Sequence, residues 1–132
     1  MVQSILLVDS DTNFRRALAI GLRLEHYAVE EAGSLVEARR RLAARSFDFA
    51  VVDLLLPGGD GLDLAASVLE SSDCKVMISS AHQEAFQAAG HRVPLALQLE
   101  KPFSVDQLLR LLDPVEPARA VAAALEGVEP IR

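Results

Sequence analysis

The stretch Phe49-Ala50-Val51-Val52-Asp53-Leu54-Leu55-Leu56-Pro57-Gly58-Gly59-Asp60-Gly61 decides the fold. Phe49 to Val52 is a continuous apolar run, the pattern of a strand covered on both faces in a parallel sheet. It ends on one carboxylate, Asp53, and then breaks into a Pro-Gly-Gly-Asp-Gly turn that cannot prolong the strand. In an open α/β sheet the carboxyl ends of the strands face the ligand crevice. An acid placed there, after two β-branched residues, has no packing reason to exist.

Working outward, Ile5-Leu6-Leu7-Val8 is a second run of the same kind and closes on Asp9-Ser10-Asp11. Asp11 or Thr12 then caps a helix from about Asn13 to Leu24, with Phe14, Leu18 and Leu22 on its apolar stripe. Tyr27 to Ala32 reads as a strand whose Glu30 and Glu31 suit a sheet edge. Ser34-Leu35-Val36-Glu37 is a capping box for a helix to about Arg45. After Gly61, apolar Leu62, Leu64, Ala65, Val68 and Leu69 make a helix closed by Ser71-Ser72-Asp73. Lys75 to Ser79 is the next strand, ending at Ser80-Ala81. A helix from Gln83 with Phe86 and Ala89 inward follows, and Gly90 is its expected stop. Pro94 to Leu99 holds the fifth strand, halted by Lys101-Pro102. The box Ser104-Val105-Asp106-Gln107 opens a last helix through Leu112.

Strands alternating with helices predict right-handed crossovers. The expected fold is α/β, a doubly wound (βα)5 flavodoxin-like three-layer sandwich with parallel strand order 2-1-3-4-5. Residues 1–113 make the domain. Residues 114–132, with Pro114, Pro117 and Pro130 around an alanine-rich segment, form a tail that reads as a short extra helix or the start of a linker.

Composition narrows the function classes. The chain has 132 residues, 51% hydrophobic, with a net charge of -6. That balance argues against direct nucleic-acid binding, and Arg39-Arg40-Arg41 reads as a solvated helix face. One cysteine, Cys74, excludes an internal disulfide, and no Cys/His metal spacing exists. No apolar run approaches the ~18 residues of a membrane span, and the first residues lack a signal-peptide pattern, so a cytoplasmic protein is expected.

The polar residues closing the strands carry the chemistry. Two carboxylates, Asp9 and Asp53, with a loop carbonyl, make an oxygen-only site suited to Mg2+. A carboxylate is also a nucleophile toward phosphorus. Lys101 supplies a cation and Ser80 a small hydroxyl, the parts phosphoryl transfer needs. His26, His82 and His91 have no metal spacing and read as surface or packing residues, although His82 lies two after Ser80. Asp60 reads as a turn former.

Four segments in order, Ile5 to Asp9, Val52 to Gly61, Val76 to Ala81 and Lys101-Pro102-Phe103, resemble the receiver domain of bacterial two-component response regulators (CheY-like) over roughly residues 3 to 112. The resemblance implies a phosphorelay switch rather than an enzyme, with at most autophosphorylation from small phosphodonors and autodephosphorylation. Asp53 would be the phosphoacceptor, with Ser80 and Lys101 contacting the phosphoryl group. Asp9, Asp53 and the Leu55 carbonyl would hold Mg2+, with Ser10 or Asp11 as further candidates. Pro102 would carry the usual cis bond. The implied partners are a sensor histidine kinase or phosphotransfer protein, a downstream output domain or protein, and a second copy of the chain. The chain reads as a stand-alone receiver or one cut from a longer regulator.

Three departures qualify the resemblance. Ser10 stands where a second metal-binding acid is usual, which implies weakened Mg2+ affinity. Gln98 stands where an aromatic switch residue is usual. Early Gly90, followed by Val93-Pro94, implies a short or displaced fourth helix. The alternatives are a receiver-like protein-interaction module that has lost efficient phosphorylation and, from Asp9-Ser10-Asp11, a small haloacid-dehalogenase-type phosphatase. For the phosphatase, Asn13 stands where Thr or Val belongs, and Asp53 to Gly61 would be left without a role.

Overall fold

The computed structural model describes residues 2–112. The expectation for residues 114–132 lies outside them. In chain order the elements are β1 (Ser4–Val8), α1 (Thr12–Leu24), β2 (Ala28–Ala32), α2 (Leu35–Ala44) and β3 (Phe49–Asp53). Two short strands follow, β4 (Leu55–Leu56) and β5 (Gly59–Asp60), then α3 (Gly61–Ser71), β6 (Lys75–Ser80), α4 (Gln83–Arg92), β7 (Leu97–Glu100) and α5 (Val105–Leu112). The main sheet is parallel in the order β2-β1-β3-β6-β7. This is the expected 2-1-3-4-5 topology once the short pair β4 and β5 is set aside.

The unbroken apolar runs are explained by two cores, one on each face. Ile5, Leu7, Phe49, Val51, Met77 and Leu99 pack with Leu18 and Leu22 of α1 and Leu108 and Leu112 of α5. Leu6, Val8, Ala50, Val52, Val76 and Ile78 pack on the other side with α2, α3 and α4, through residues such as Ala38, Leu64, Val68 and Phe86. Successive residues of one strand therefore serve opposite layers, as period-two geometry demands. Each fully buried Leu or Ile contributes roughly 1.5–3 kcal/mol by leaving water.

Local signals explain most boundaries. Asp11 caps α1 by accepting the Phe14 N–H at 3.1 Å. Ser34 accepts the Glu37 N–H at 3.2 Å. Ser104 and Gln107 form the reciprocal box, with bonds of 3.1 and 2.8 Å. Asp60 is indeed spent on local structure, capping α3 by accepting the Leu62 N–H at 2.8 Å.

Three expectations are corrected. The segment after Asp53 is not purely a turn, because Leu55 pairs with Asp60 and Leu56 with Gly59 as an antiparallel hairpin. Its loop is Pro57-Gly58, and Gly58 takes φ +83°, the combination that a type II turn demands. Gly90 does not stop α4, which continues to Arg92 with the Val93 N–H donating to the Ala89 carbonyl at 2.8 Å. Pro94 is the real stop, since a residue before proline resists helical geometry. The fifth long strand starts at Leu97 rather than Pro94. Pro94 and Leu95 instead lie in a turn closed by the Ala96 N–H on the Val93 carbonyl at 3.0 Å, which leaves Leu95 84% exposed.

The end of α1 holds a strained position. Tyr27 N–H donates to the Leu22 carbonyl and His26 N–H to the Arg23 carbonyl, the pattern of a Schellman cap. The left-handed residue of that cap is His26, at φ 69°. A side chain there costs roughly 1–2 kcal/mol, offset in part by the entropy a glycine would lose on folding. His26→Gly should therefore raise unfolding free energy by about 1 kcal/mol in urea denaturation, with an unchanged m-value.

Candidate functional site

Asp9, Asp53 and Lys101 continue the period-two series Ile5-Leu7, Phe49-Val51 and Leu99, so all three belong to the face covered by α1 and α5. Register sets their height. Val8 lies opposite Val52, so Asp9 and Asp53 end neighbouring strands side by side. Lys101 comes one residue past β7, and its long side chain crosses the end of β6, which finishes in two small residues, Ser79 and Ser80.

The three side chains meet. Lys101 Nζ lies 2.7 Å from Asp9 Oδ2 and 3.2 Å from Asp53 Oδ2. Asp9 and Asp53 are each only 5% exposed. Their remaining oxygens are held by backbone: Asp9 Oδ1 accepts the Asp11 N–H at 2.9 Å, and Asp53 Oδ1 accepts the Leu55 N–H at 3.0 Å. Phe14 walls the pocket, with Nζ 5.2 Å from its ring centroid and Phe103 edge-on to it at 5.0 Å. Gly61 closes the other side. A Cβ there would run into the Asp53 carbonyl, so α3 begins against the backbone of the acid itself.

Burial sets the protonation behaviour of Asp53, and its two carboxylate partners set that of Lys101. It lifts the Asp53 carboxyl above its ordinary range, against the opposing pull of the Leu55 amide and the Lys101 ammonium. Burial acts to lower Lys101, but hydrogen bonds to Asp9 and Asp53 and their charges outweigh it, leaving the ammonium held above its ordinary value.

Other candidates stand nearby. Ser80 is 1% exposed, accepts the His82 N–H at 3.0 Å, and its carbonyl accepts the Lys101 N–H at 2.9 Å. That bond does not use its hydroxyl proton. Lys101-Pro102 is cis. Ser10 is exposed and lines an open depression of about 480 Å³ together with Leu55, Pro57 and Asp60. Asp11 is committed to capping α1. His82 is exposed and makes no capping bond. Cys74, at the far end of the sheet, is buried with its thiol pushed up to about 11 by burial and by Asp48.

A divalent ion such as Mg2+ can be tested against these donors. Among the described residues no three His, Cys, Asp or Glu side chains form a metal cluster. The two carboxylates nevertheless converge on a single cation, the ammonium, and hard oxygen donors that leave room for several waters are what Mg2+ accepts. The residues present fit such an ion with one carboxylate fewer than the resemblance implies.

Comparison with known proteins agrees with this geometry. Residues 5–113 match the response regulator receiver domain family, and the chain belongs to it. It is 31% identical over 101 residues to the transcriptional regulatory protein ResD of Bacillus subtilis, covering 76% of this chain and 42% of ResD. It is 34% identical over 112 residues to the acid tolerance regulatory protein ActR of Rhizobium meliloti, covering 83% and 58%. The chain thus spans about half the length of these relatives. A Burkholderia pseudomallei response regulator, whose structure carries a phosphorylated aspartic acid and a calcium ion, superposes with TM-score 0.76 at 28% identity, covering 94% of this chain and 74% of that one. A CheY-like receiver from Methanospirillum hungatei shares the fold, with TM-score 0.78 at 22% identity over 92% of this chain and 99% of that one. The phosphatase alternative is set aside by this family membership.

Sequence reasoning missed one residue at the site. Arg15 Nη1 donates to the Asp9 carbonyl at 2.8 Å. Its position one after Phe14 on α1, off the apolar stripe, gave it the look of a solvated arginine.

The raised Asp53 group has a stability consequence. The folded state holds the proton more tightly than the unfolded chain, so this group's contribution falls as pH rises from 3.8 through the elevated value. Asp53→Asn should melt higher than the parent at pH 7, at about 4 °C per kcal/mol, with the advantage shrinking below pH ~4. Calorimetry showing no gain at pH 7 contradicts this.

Proposed function

We propose that Asp53 is the phosphoacceptor of a two-component phosphorelay, with Lys101, Ser80 and Asp9 as its working partners. The single observation that carries this reading is the Lys101 ammonium shared by two buried carboxylates at 2.7 and 3.2 Å. The donor is a phosphohistidine on a sensor kinase or phosphotransfer protein. An Asp53 oxygen attacks phosphorus, the O–P bond forms as the N–P bond breaks, and the freed imidazole leaves with the electron pair and takes up a proton.

The chain's own groups account for the rest. Leu55 N–H orients the nucleophile through Oδ1. Lys101 neutralises developing charge on the phosphoryl oxygens, and the Ser80 hydroxyl donates to one of them. Asp9, Asp53 and the Leu55 carbonyl, with Ser10 as a further candidate, would hold Mg2+, which would supply further charge neutralisation. The new group brings about -1.5 to -2 charges and three acceptors, which draw Ser80 and Lys101 and re-aim the loops after β6 and β7. Gln98 is exposed and carries no ring, so the readout on that face works without an aromatic rotamer. The reading sets the switch in the cytoplasm, with residues 1–113 as the receiver and residues 114–132 as a tail.

Beryllofluoride with Mg2+, followed by amide chemical shifts, tests the proposal. Perturbations should centre on Asp53, Ser80 and Lys101 and vanish in Asp53→Asn; a native protein without an Asp53-dependent adduct at millimolar Mg2+ refutes it. Ser10→Asp should tighten Mg2+ binding roughly tenfold by restoring a carboxylate beside Asp9. An unchanged affinity would show that position 10 takes no part in cation binding.

A further inference from the structure

Arg15 is a partly buried cation outside the site's ring of side chains. Its side chain is 12% exposed, in a protein whose other arginines at the β2 edge lie near half exposed. It makes two bonds in two directions. Nη1 donates to the backbone carbonyl of Asp9 at 2.8 Å, and Nε donates to Glu31 Oε1 at 3.0 Å. Glu31 sits on β2, where Arg23 also approaches it at 3.6 Å. The guanidinium passes over the backbone of Gly33, where a Cβ would stand 2.9 Å from Nη1.

We propose that Arg15 is a positioning residue for Asp9, locking the peptide between Asp9 and Ser10 so that the Asp9 carboxylate stays on the cation position it shares with Asp53. The inference rests on the reading of Asp9 and Asp53 as the cation-holding pair. Asp9 is otherwise tied by its N–H to the Ala32 carbonyl at 3.0 Å, by Oδ1 to the Asp11 N–H, and by Oδ2 to Lys101. The carbonyl is the remaining backbone handle. Because the peptide unit is planar, holding the carbonyl also fixes the N–H of Ser10. With Ser10 lacking a carboxylate, Asp9 carries more of the cation's binding, and a small swing of its peptide costs more.

The same geometry separates positioning from ordinary ion pairing. A lysine at position 15 keeps the charge but has no rigid fork to serve a carbonyl and a carboxylate at once. A methyl group on residue 33 displaces the tip of Arg15 without removing any charge. Arg23 touches the same Glu31 and the Val29 carbonyl but no atom of the site.

The test uses the full chain with Arg15→Met, Arg15→Lys, Gly33→Ala, Arg23→Gln and Asp9→Asn. The readouts are the Asp11 amide and Lys101 Nζ shifts without metal, and Mg2+ affinity from shift titration. Both Arg15 variants should move the Asp11 and Lys101 signals and weaken Mg2+ about tenfold, the range seen when a partner orienting a metal ligand is lost. Gly33→Ala should shift both readouts in the same direction by a smaller step, and Arg23→Gln should leave them within twofold of the parent. Should Arg15→Met fail to fold, Arg15→Lys and Gly33→Ala decide. An Arg15 variant that melts lower yet keeps the parent's shifts and Mg2+ affinity, while Asp9→Asn loses affinity, overturns the positioning role alone. If Asp9→Asn itself leaves Mg2+ affinity unchanged, the underlying reading of the site falls first.

Discussion

One ammonium between two buried carboxylates is the constraint on which this structure turns. Asp9 and Asp53 end adjacent strands, each 5% exposed, and unshielded they would repel across a poorly hydrated gap. Lys101 reaches in from a third strand and makes their proximity tolerable. Removing the ammonium would strand two buried carboxylates; the surrounding backbone is committed to them as well, with the Asp11 and Leu55 amides holding the outer carboxylate oxygens and Gly61 leaving room for the Asp53 carbonyl. The three groups are kept in place by the two cores beneath them.

Those cores were the legible part of the sequence. Ile5 to Val8, Phe49 to Val52 and Val76 to Ile78 are apolar on every residue because each strand faces a helical layer on both sides. That property shows in composition alone. The strand-end residues were legible for the opposite reason, since a carboxylate closing an apolar run has no packing role. Asp9, Asp53 and Lys101 fall on one face by parity, which the sequence also contains once strand boundaries are known.

The rest depended on contacts that no local pattern encodes. Gly90 resembles a helix stop, yet its surroundings are open and the helix simply runs on to the proline. Leu95 and Ala96 have strand-like character, but Pro94 at the second position of a turn overrides them. The hairpin after Asp53 needs the pairing of Leu55 with Asp60, two residues that look like loop. Arg15 was indistinguishable from Arg16 beside it until β2 and the loop after β1 were in place around it.

The edge strand β2 has a further effect on the life of the molecule in a crowded solution. Its consecutive glutamates point to opposite layers: Glu31 is gripped by Arg15 and Arg23 of α1, Glu30 by Arg41 of α2 and by Arg45 just beyond it. Charged, half-buried side chains clasped from both sides make that border of the sheet a poor template for a foreign strand.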